Sequence, residues 1–378
     1  MPDPIRLAAA EALRGAADRS PRVLVGFDGF LDSITSAVDT RRSMSPDDYE
    51  PMRTIGALAS RIGAAGGGRS TNIELREREL RAGGNGPLLA GALSGQGVRV
   101  TLIGALGADG AEPIHPAYEA LVERCEEAIS VGASARTDAL EFDDGKVMFN
   151  WSANLDRIDW SYLVDRLGLE RIRGLCARCD VLATINWTNL GGLPSIWRGL
   201  RDEVLSSLDR RPSIFVDLSD PAKRTDDAVR SMLEDLASLD GVAPLTLGLN
   251  FAEANRLSAL RLGECLPRDR SMGEMEHAAA RLRDALGLSC VLIHTRGAVA
   301  GADASEATSV RTRVVERPVL STGAGDHFNG GYLGARGRGL GLGMSLACGC
   351  DTASAYVGTG RTPDLETLLG VLVSGDGL

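Results

Sequence analysis

Aromatic residues are scarce in this chain, at 4% of 378 residues, so a folded core has to be mostly aliphatic. No run of Lys and Arg interrupts a formal net charge of −10, which speaks against nucleic acid and anionic membranes as partners. A phosphate-bearing ligand would have to be held by local backbone dipoles and a metal against that overall field. No apolar stretch approaches the length that spans a bilayer. The opening MPDPIRLAAAEALRGAADR mixes acids with arginines and lacks the apolar centre of a secretory signal; a cytoplasmic protein is expected. The seven cysteines are odd in number and lack the spacing of a small secreted domain. Cys176 and Cys179 form one C-x-x-C, but no second pair or nearby histidine completes a zinc site, so buried, inert thiols are expected. His115, His277, His294 and His327 show no metal spacing and read as structural.

Two further absences concern nucleotides. Neither a G-x-x-x-x-G-K-[ST] phosphate loop nor a strand-linked G-x-G-x-x-G occurs. GLGLG at Gly339 falls in a late helical region and follows no strand. The ordinary nucleotide-binding folds are therefore not supported. No internal repeat is present.

What the chain does have is alternation. Its length suits one large domain with an excursion. Short aliphatic runs begin at Arg22, Arg99, Val181, Ser213, Leu245 and Cys290, each with polar residues at its C-terminal end. Such runs read as strands covered on both faces. Between them lie amphipathic stretches at Trp160–Cys176, Ile196–Leu208, Asp226–Leu239 and Met272–Leu286. The pattern predicts an α/β fold with a mainly parallel sheet between helical layers. Two segments break the rhythm. Asp39–Arg81 holds a helix near Met52–Ile62 and a glycine cluster, and Arg136–Asn150 reads as a hairpin around Asp144-Gly145. Together they predict a small β-rich lid over residues 39–81 and 133–150, with the main domain formed by 1–38, 82–132 and 151–378.

In such sheets ligands sit beyond the carboxyl ends of the strands, which draws attention to GFDGFLDSI, NFAE and HTRGAVAG after three of the runs. One stretch stands out. In STGAGDHFNGG, Ser321 to Gly331, the residues Gly323-Ala324-Gly325 lie at the start of a predicted helix, where free N–H groups and the helix dipole favour an anion. Asp326 follows in the first turn. A carboxylate beside a bound phosphate makes sense as the base that phosphoryl transfer requires, although Asp is also a favoured helix cap. Asn250 and Glu253 have the spacing of a capping box, and Asp28 and Asp32 could equally be turn residues.

Taken in order along the chain, these motifs resemble the PfkB carbohydrate kinases, the ribokinase-like sugar and nucleoside kinases. GFDGFLDSI is similar to their sugar-binding turn, AGGNGPLLAGALSGQGVRV to their Gly-Gly motif, NFAE to their Asn-x-x-Glu, HTRGAVAG to their nucleotide loop and STGAGDHFNGG to their anion hole. The resemblance implies a three-layer α/β/α sandwich with a β-rich lid. It also implies transfer of the γ-phosphoryl of ATP, with Mg2+, to a hydroxyl of a sugar, sugar phosphate or nucleoside. By position, Asp326 would be the base, and the amides of Gly323, Ala324 and Gly325 the anion hole. Asn250 and Glu253 would position Mg2+ through water. Thr295 and Gly297 would line the nucleotide site, and Asp28, Asp32, Gly84 and Asn85 the acceptor.

Three departures qualify the resemblance. Leu320 stands where the family usually has an acid associated with a monovalent cation, so a potassium requirement is doubtful. Leu88 replaces an asparagine of the Gly-Gly motif, so familiar sugar specificities do not carry over. The insertion before that motif is long. A non-catalytic sugar or nucleotide sensor and an ADP-dependent sugar kinase stay open as alternatives, and exposed lid edges would allow a homodimer.

Overall fold

The computed structural model describes residues 3–266 and 271–374. Its strands, in chain order, are β1 (Arg22–Phe27), β2 (Phe30–Arg41), β3 (Tyr49–Pro51), β4 (Leu75–Gly83), β5 (Arg99–Gly104), β6 (Glu127–Ser130), β7 (Ala135–Phe142) and β8 (Gly145–Trp151). They continue with β9 (Val181–Ile185), β10 (Ser213–Asp217), β11 (Leu245–Asn250), β12 (Cys290–His294), β13 (Ala298–Ala302) and β14 (Ala307–Arg311). Nine of them form one sheet in the order β14-β13-β12-β11-β10-β9-β1-β5-β6. The six pairings from β12 to β6 are parallel, and β13 and β14 add an antiparallel edge.

Alternation along the strands divides the core into two apolar clusters. Leu24, Leu182, Ile214 and Val291 belong to one, while Val23, Ala183, Phe215 and Leu292 belong to the other. Each of these central strands is thus buried on both faces, as its continuous apolar run requires, and the six expected central strands begin where the sequence places them.

The helices need more correction. Trp160–Cys176 is two helices, Trp160–Leu167 and Leu169–Arg178, split at Gly168 with φ 80°. The helix expected at Ile196–Leu208 starts earlier, at Leu193, with Pro194 in its first turn, and passes into wider and tighter turns after Gly199. In the lid, the helix is Ile55–Ala64 rather than Met52–Ile62, because the Thr54 side chain accepts from the Ala57 N–H and sets its start. GLGLG lies, as expected, in the late helical region: Gly339–Gly341 join Ala324–Gly337 to Leu342–Thr359, and Leu342-Gly343 open the second helix. Of the cysteines, five are buried, but Cys125 is half-buried and Cys265 exposed.

The second sheet has the order β3-β2-β7-β8, with β4 also on β2. It begins at Phe30, nine residues before the expected lid boundary at 39, because β2 starts after only a two-residue break, Asp28-Gly29, from the end of β1. The hairpin turns through Asp143-Asp144, with Phe142 opposite Gly145. A small apolar cluster of Ala37, Met52, Leu58 and Leu140 holds this layer together.

The two helices Ala324–Gly337 and Leu342–Thr359 approach so closely that a Cβ on Gly331 would lie 2.6 Å from the Cys348 carbonyl oxygen and 2.4 Å from Thr352 Oγ1. Gly331→Ala is therefore expected to destabilise the protein by roughly 1–3 kcal/mol, the usual range for overpacking. Urea denaturation measures it, and an unchanged midpoint would show that the helices can separate at no cost.

Candidate active site

The first strand delivers its aspartate inward. Asp28 is fully buried, and its carboxylate accepts from the N–H groups of Asn85 (3.0 Å) and Gly86 (2.7 Å) and from Asn186 Nδ2 (2.7 Å). Burial pushes its pKa up, while those donors favour the charged form. Asp28 is thus occupied with the loop Gly84–Gly86 and does not face a cleft as a free acceptor. Asp32, on β2, is half-buried, and burial raises its pKa against the pull of Arg81, Thr137 and Lys146. A Cβ on Gly83 would fall 2.4 Å from the Asp32 carboxyl, and Gly84 has φ 92°. The Gly-Gly pair therefore lets the Asp32 carboxylate lie against one residue and lets the chain reverse at the next.

Gly323, in the left-handed region at φ 88°, caps the helix Ala324–Gly337 without a side chain. Its carbonyl meets His327 Nδ1 at 2.8 Å, and that ring stacks on Tyr356 with centroids 3.5 Å apart. Burial lowers the His327 pKa to about 4, so the ring is neutral. Tyr356 OH donates to the Thr322 carbonyl at 3.0 Å. The glycine turn is fixed from both sides, leaving helix N-terminal amides without side chains in front of them. Asp326 is buried in the first turn of this helix and accepts from Asn85 Nδ2 at 2.9 Å, across 241 residues. Its pKa is raised well above the usual carboxylate range, first by burial and then by Asp217.

Along the same helix, Asn329 Nδ2 donates to Asp217 Oδ2 at 2.8 Å. Asp217 ends β10, and its other oxygen accepts from the Ser219 N–H at 3.1 Å. Asn250 and Glu253 form the capping box that their spacing predicts: Glu253 Oε2 accepts from the Asn250 N–H, and Asn250 Oδ1 from the Glu253 N–H. Glu253 Oε1 also accepts from the Asp220 N–H at 2.8 Å. Burial, then the Asp217 charge, pushes the Glu253 pKa up to about 8. Thr295 and Gly297 line a cleft of about 790 Å³ walled by Phe251, Leu266, Met275 and Ile293. The Thr295 hydroxyl is spent within its own turn, donating to the Ala298 carbonyl.

Several residues here carry no signal in the sequence reading. Asp217 sits at a strand end that was noted only as a strand. Asn186, Ser219 and Asp220 have φ of 63°, 60° and 58°, and are the three non-glycine residues with positive φ among those described. All three lie beyond strand ends around the buried acids, and such conformations cluster at functional sites. Leu88, in place of the expected asparagine, lies against Gly323: a Cβ there would be 3.3 Å from Leu88 Cδ1. Leu320, in place of the expected acid, uses its N–H on the Val357 carbonyl at 3.3 Å.

This architecture, with a glycine turn at a helix start, a buried aspartate behind it and a β lid, is that of the ribokinase-like carbohydrate kinases. A ribokinase from Thermotoga maritima superposes with a TM-score of 0.59 at 18% identity, over 93% of this chain and 99% of that one. A ribokinase from Cryptococcus neoformans, solved with ADP, gives 0.62 at 16%, over 92% and 99%. The prokaryotic ketohexokinase family model matches residues 7–374. A ketohexokinase from Haloferax volcanii is 30% identical over 372 residues, covering 97% of this chain and 96% of the relative. The chain belongs to the prokaryotic ketohexokinase family; it is a sugar kinase, a phosphotransferase with an alcohol acceptor, in a family that uses ATP. Among the described residues no helix is long and apolar enough to cross a membrane.

Glu253 makes the site's electrostatics measurable. The folded state keeps its proton to about pH 8, while the unfolded chain loses it near the ordinary value of 4.5. Stability of the ligand-free protein therefore falls as pH rises between those values. Glu253→Gln should make that fall shallower, with Asp28 and Asp326 supplying what remains. Thermal unfolding from pH 5 to 8.5 tests it, and parallel curves for parent and variant would contradict it.

Proposed function

We propose that this chain transfers the γ-phosphoryl group of ATP to a primary hydroxyl of a ketohexose. Asp326 takes the hydroxyl proton as the new O–P bond forms and the bond to the departing ADP breaks. The observation that carries this reading is the 2.9 Å hydrogen bond between Asn85 and Asp326, which joins the acceptor loop to the base in front of the glycine turn. The amides of Gly323, Ala324 and Gly325 take up charge on the phosphoryl oxygens, as fixed dipoles do most effectively in a dry site. Asp32, Gly84 and Asn85 face the sugar. Asp28 acts through them, by holding their loop. The nucleotide lies along Thr295 and Gly297 in the apolar cleft.

The donor set fits Mg2+. Asp217, Asn250 and Glu253 present only hard oxygen ligands at neighbouring strand ends, and no three acids, histidines or cysteines among the described residues converge to ligate an ion directly. Asn250 and Glu253 would hold it through water, as Mg2+ commonly requires. When bound, the ion neutralises phosphate charge. The hydrogen bonds that the Val319 and Leu320 N–H groups donate to the Val357 carbonyl support a glycine turn that needs no potassium; replacing K+ by tetramethylammonium is expected to leave turnover unchanged. Met148, Phe149 and Trp151, exposed on the lid's outer strand, support pairing with a second copy, which light scattering would register as a doubled mass.

Asp326→Asn should keep the fold and nucleotide binding and lose about 10²–10⁴-fold in turnover. Ketohexoses should outperform aldohexoses, pentoses, nucleosides and sugar phosphates in a product-scored screen, and ATP should outperform ADP as donor. Undiminished turnover by the variant removes Asp326 from the mechanism; a preferred nucleoside or sugar phosphate removes the ketohexose. Asp217→Asn, which deletes a charge that raises the Asp326 pKa, should move the acid limb of kcat/KM to lower pH.

A further inference from the structure

The lid carries ten basic residues, and most are spoken for. Arg41, Arg42, Arg61, Arg76, Arg78 and Arg136 each meet a carboxylate within the lid itself. Lys146 does not. It stands at the start of β8, just after the hairpin turn, and its Nζ donates to Thr322 Oγ1 at 2.5 Å, across 176 residues. Thr322 is the residue immediately before Gly323. The only described contact of this ammonium is therefore a neutral hydroxyl at the edge of the glycine turn, with no acid at ion-pair distance. It is close enough to Asp32 to lower that carboxyl's pKa. Lys146 thus lies between the acceptor carboxylate and the turn proposed to take the phosphoryl group.

The residue type carries information as well. Lys146 is one of two lysines, with Lys223, among 41 basic residues. A chain that uses arginine almost everywhere else has here the compact, mobile point charge in place of the planar fork. Its present bond is that of an exposed side chain to a hydroxyl, which contributes little and is readily exchanged. A phosphoryl oxygen one residue away offers a charge-assisted bond of roughly twice the strength.

We infer that Lys146 is a catalytic residue delivered by the lid: on substrate binding its ammonium leaves Thr322 and completes the cradle of amides around the phosphoryl group in transit. Lys146 transfers no proton in this step. The hydroxyl proton goes to Asp326, the O–P bond forms and the bond to ADP breaks, while the fixed positive charge offsets what accumulates on the phosphoryl oxygens. The chemistry recognised is a phosphoryl group shared between nucleotide and sugar, not either substrate alone. This inference rests on the reading of Gly323–Gly325 as the phosphoryl site.

The test compares Lys146→Met, which keeps the aliphatic stem, with Lys146→Arg, in the full chain and alongside Asp326→Asn. The position is exposed, so both variants should unfold at the parent's temperature. Lys146→Met is expected to lose about 10²–10³-fold in kcat, the range for removing one transition-state donor, with the sugar KM changed less than about threefold. Lys146→Arg should recover part of that loss. Binding of ADP with aluminium fluoride in the presence of ketohexose should weaken in Lys146→Met, while binding of ADP alone should not. An unchanged kcat in Lys146→Met, or a raised sugar KM with kcat intact, overturns the assignment. If Asp326→Asn is inactive while Lys146→Met is fully active, only the lysine's role fails; if both are active, the phosphoryl site itself has been misplaced.

Discussion

Everything around the proposed site is arranged about one carboxylate that has no room to meet substrate. Asp28 lies fully buried where the main sheet gives way to the lid, and three donors from two other segments converge on it. Removing an acceptor from such a cluster would leave buried N–H groups unpaired, at about 1–3 kcal/mol for each. Its cost is accepted because of what it orients: with the backbone of Asn85 and Gly86 fixed, the Asn85 amide has one place to go, and that place is Asp326. A hydrogen bond to a buried base is only as well aimed as the loop that offers it.

The electrostatics follow from the same crowding. Asp217, Glu253, Asp326 and Asp28 share one end of the sheet in a protein already at −10. Burial raises the pKa of Asp28, Glu253 and Asp326, and repulsion from neighbouring acids adds to the rise at Glu253 and Asp326. Such a concentration of acid is unfavourable for the free protein and well suited to a polyphosphate that arrives with a divalent cation, while the N-terminus of the helix Ala324–Gly337 supplies fixed positive potential. Lys146 and Arg81 enter from the lid, so positive charge comes to the site from the part of the structure not anchored in the main sheet.

Much of this could be read in the residues. Continuous aliphatic runs with polar tails fixed the central strands, since a strand buried on both faces has few other compositions available. The glycine turn with its aspartate, and the Asn250–Glu253 box, were visible because each needs a short local spacing. What stayed hidden was non-local. Asp217 matters through Asn329, 112 residues away, and Lys146 through a threonine far along the chain. Helix ends shifted where a cap or a glycine outweighed periodicity, as at Thr54 and Gly168. The lid sheet starts at Phe30 because only Asp28 and Gly29 separate β1 from β2, and no change of composition marks where the chain passes from one sheet to the other.

The chain enters and leaves the lid beside the proposed site. The first excursion of the lid, β2 to β4, is rooted at both ends beside residues proposed to face the acceptor: β2 departs two residues after Asp28, and β4 returns at Gly83, beside Gly84 and Asn85. Neither joint of this excursion lies clear of the proposed site, so it could not be exchanged as a cassette without touching that site. On the proposed assignment, a homologous lid grafted here would bring its own sugar-facing residues with it, and the cover and the choice of sugar would be inherited together.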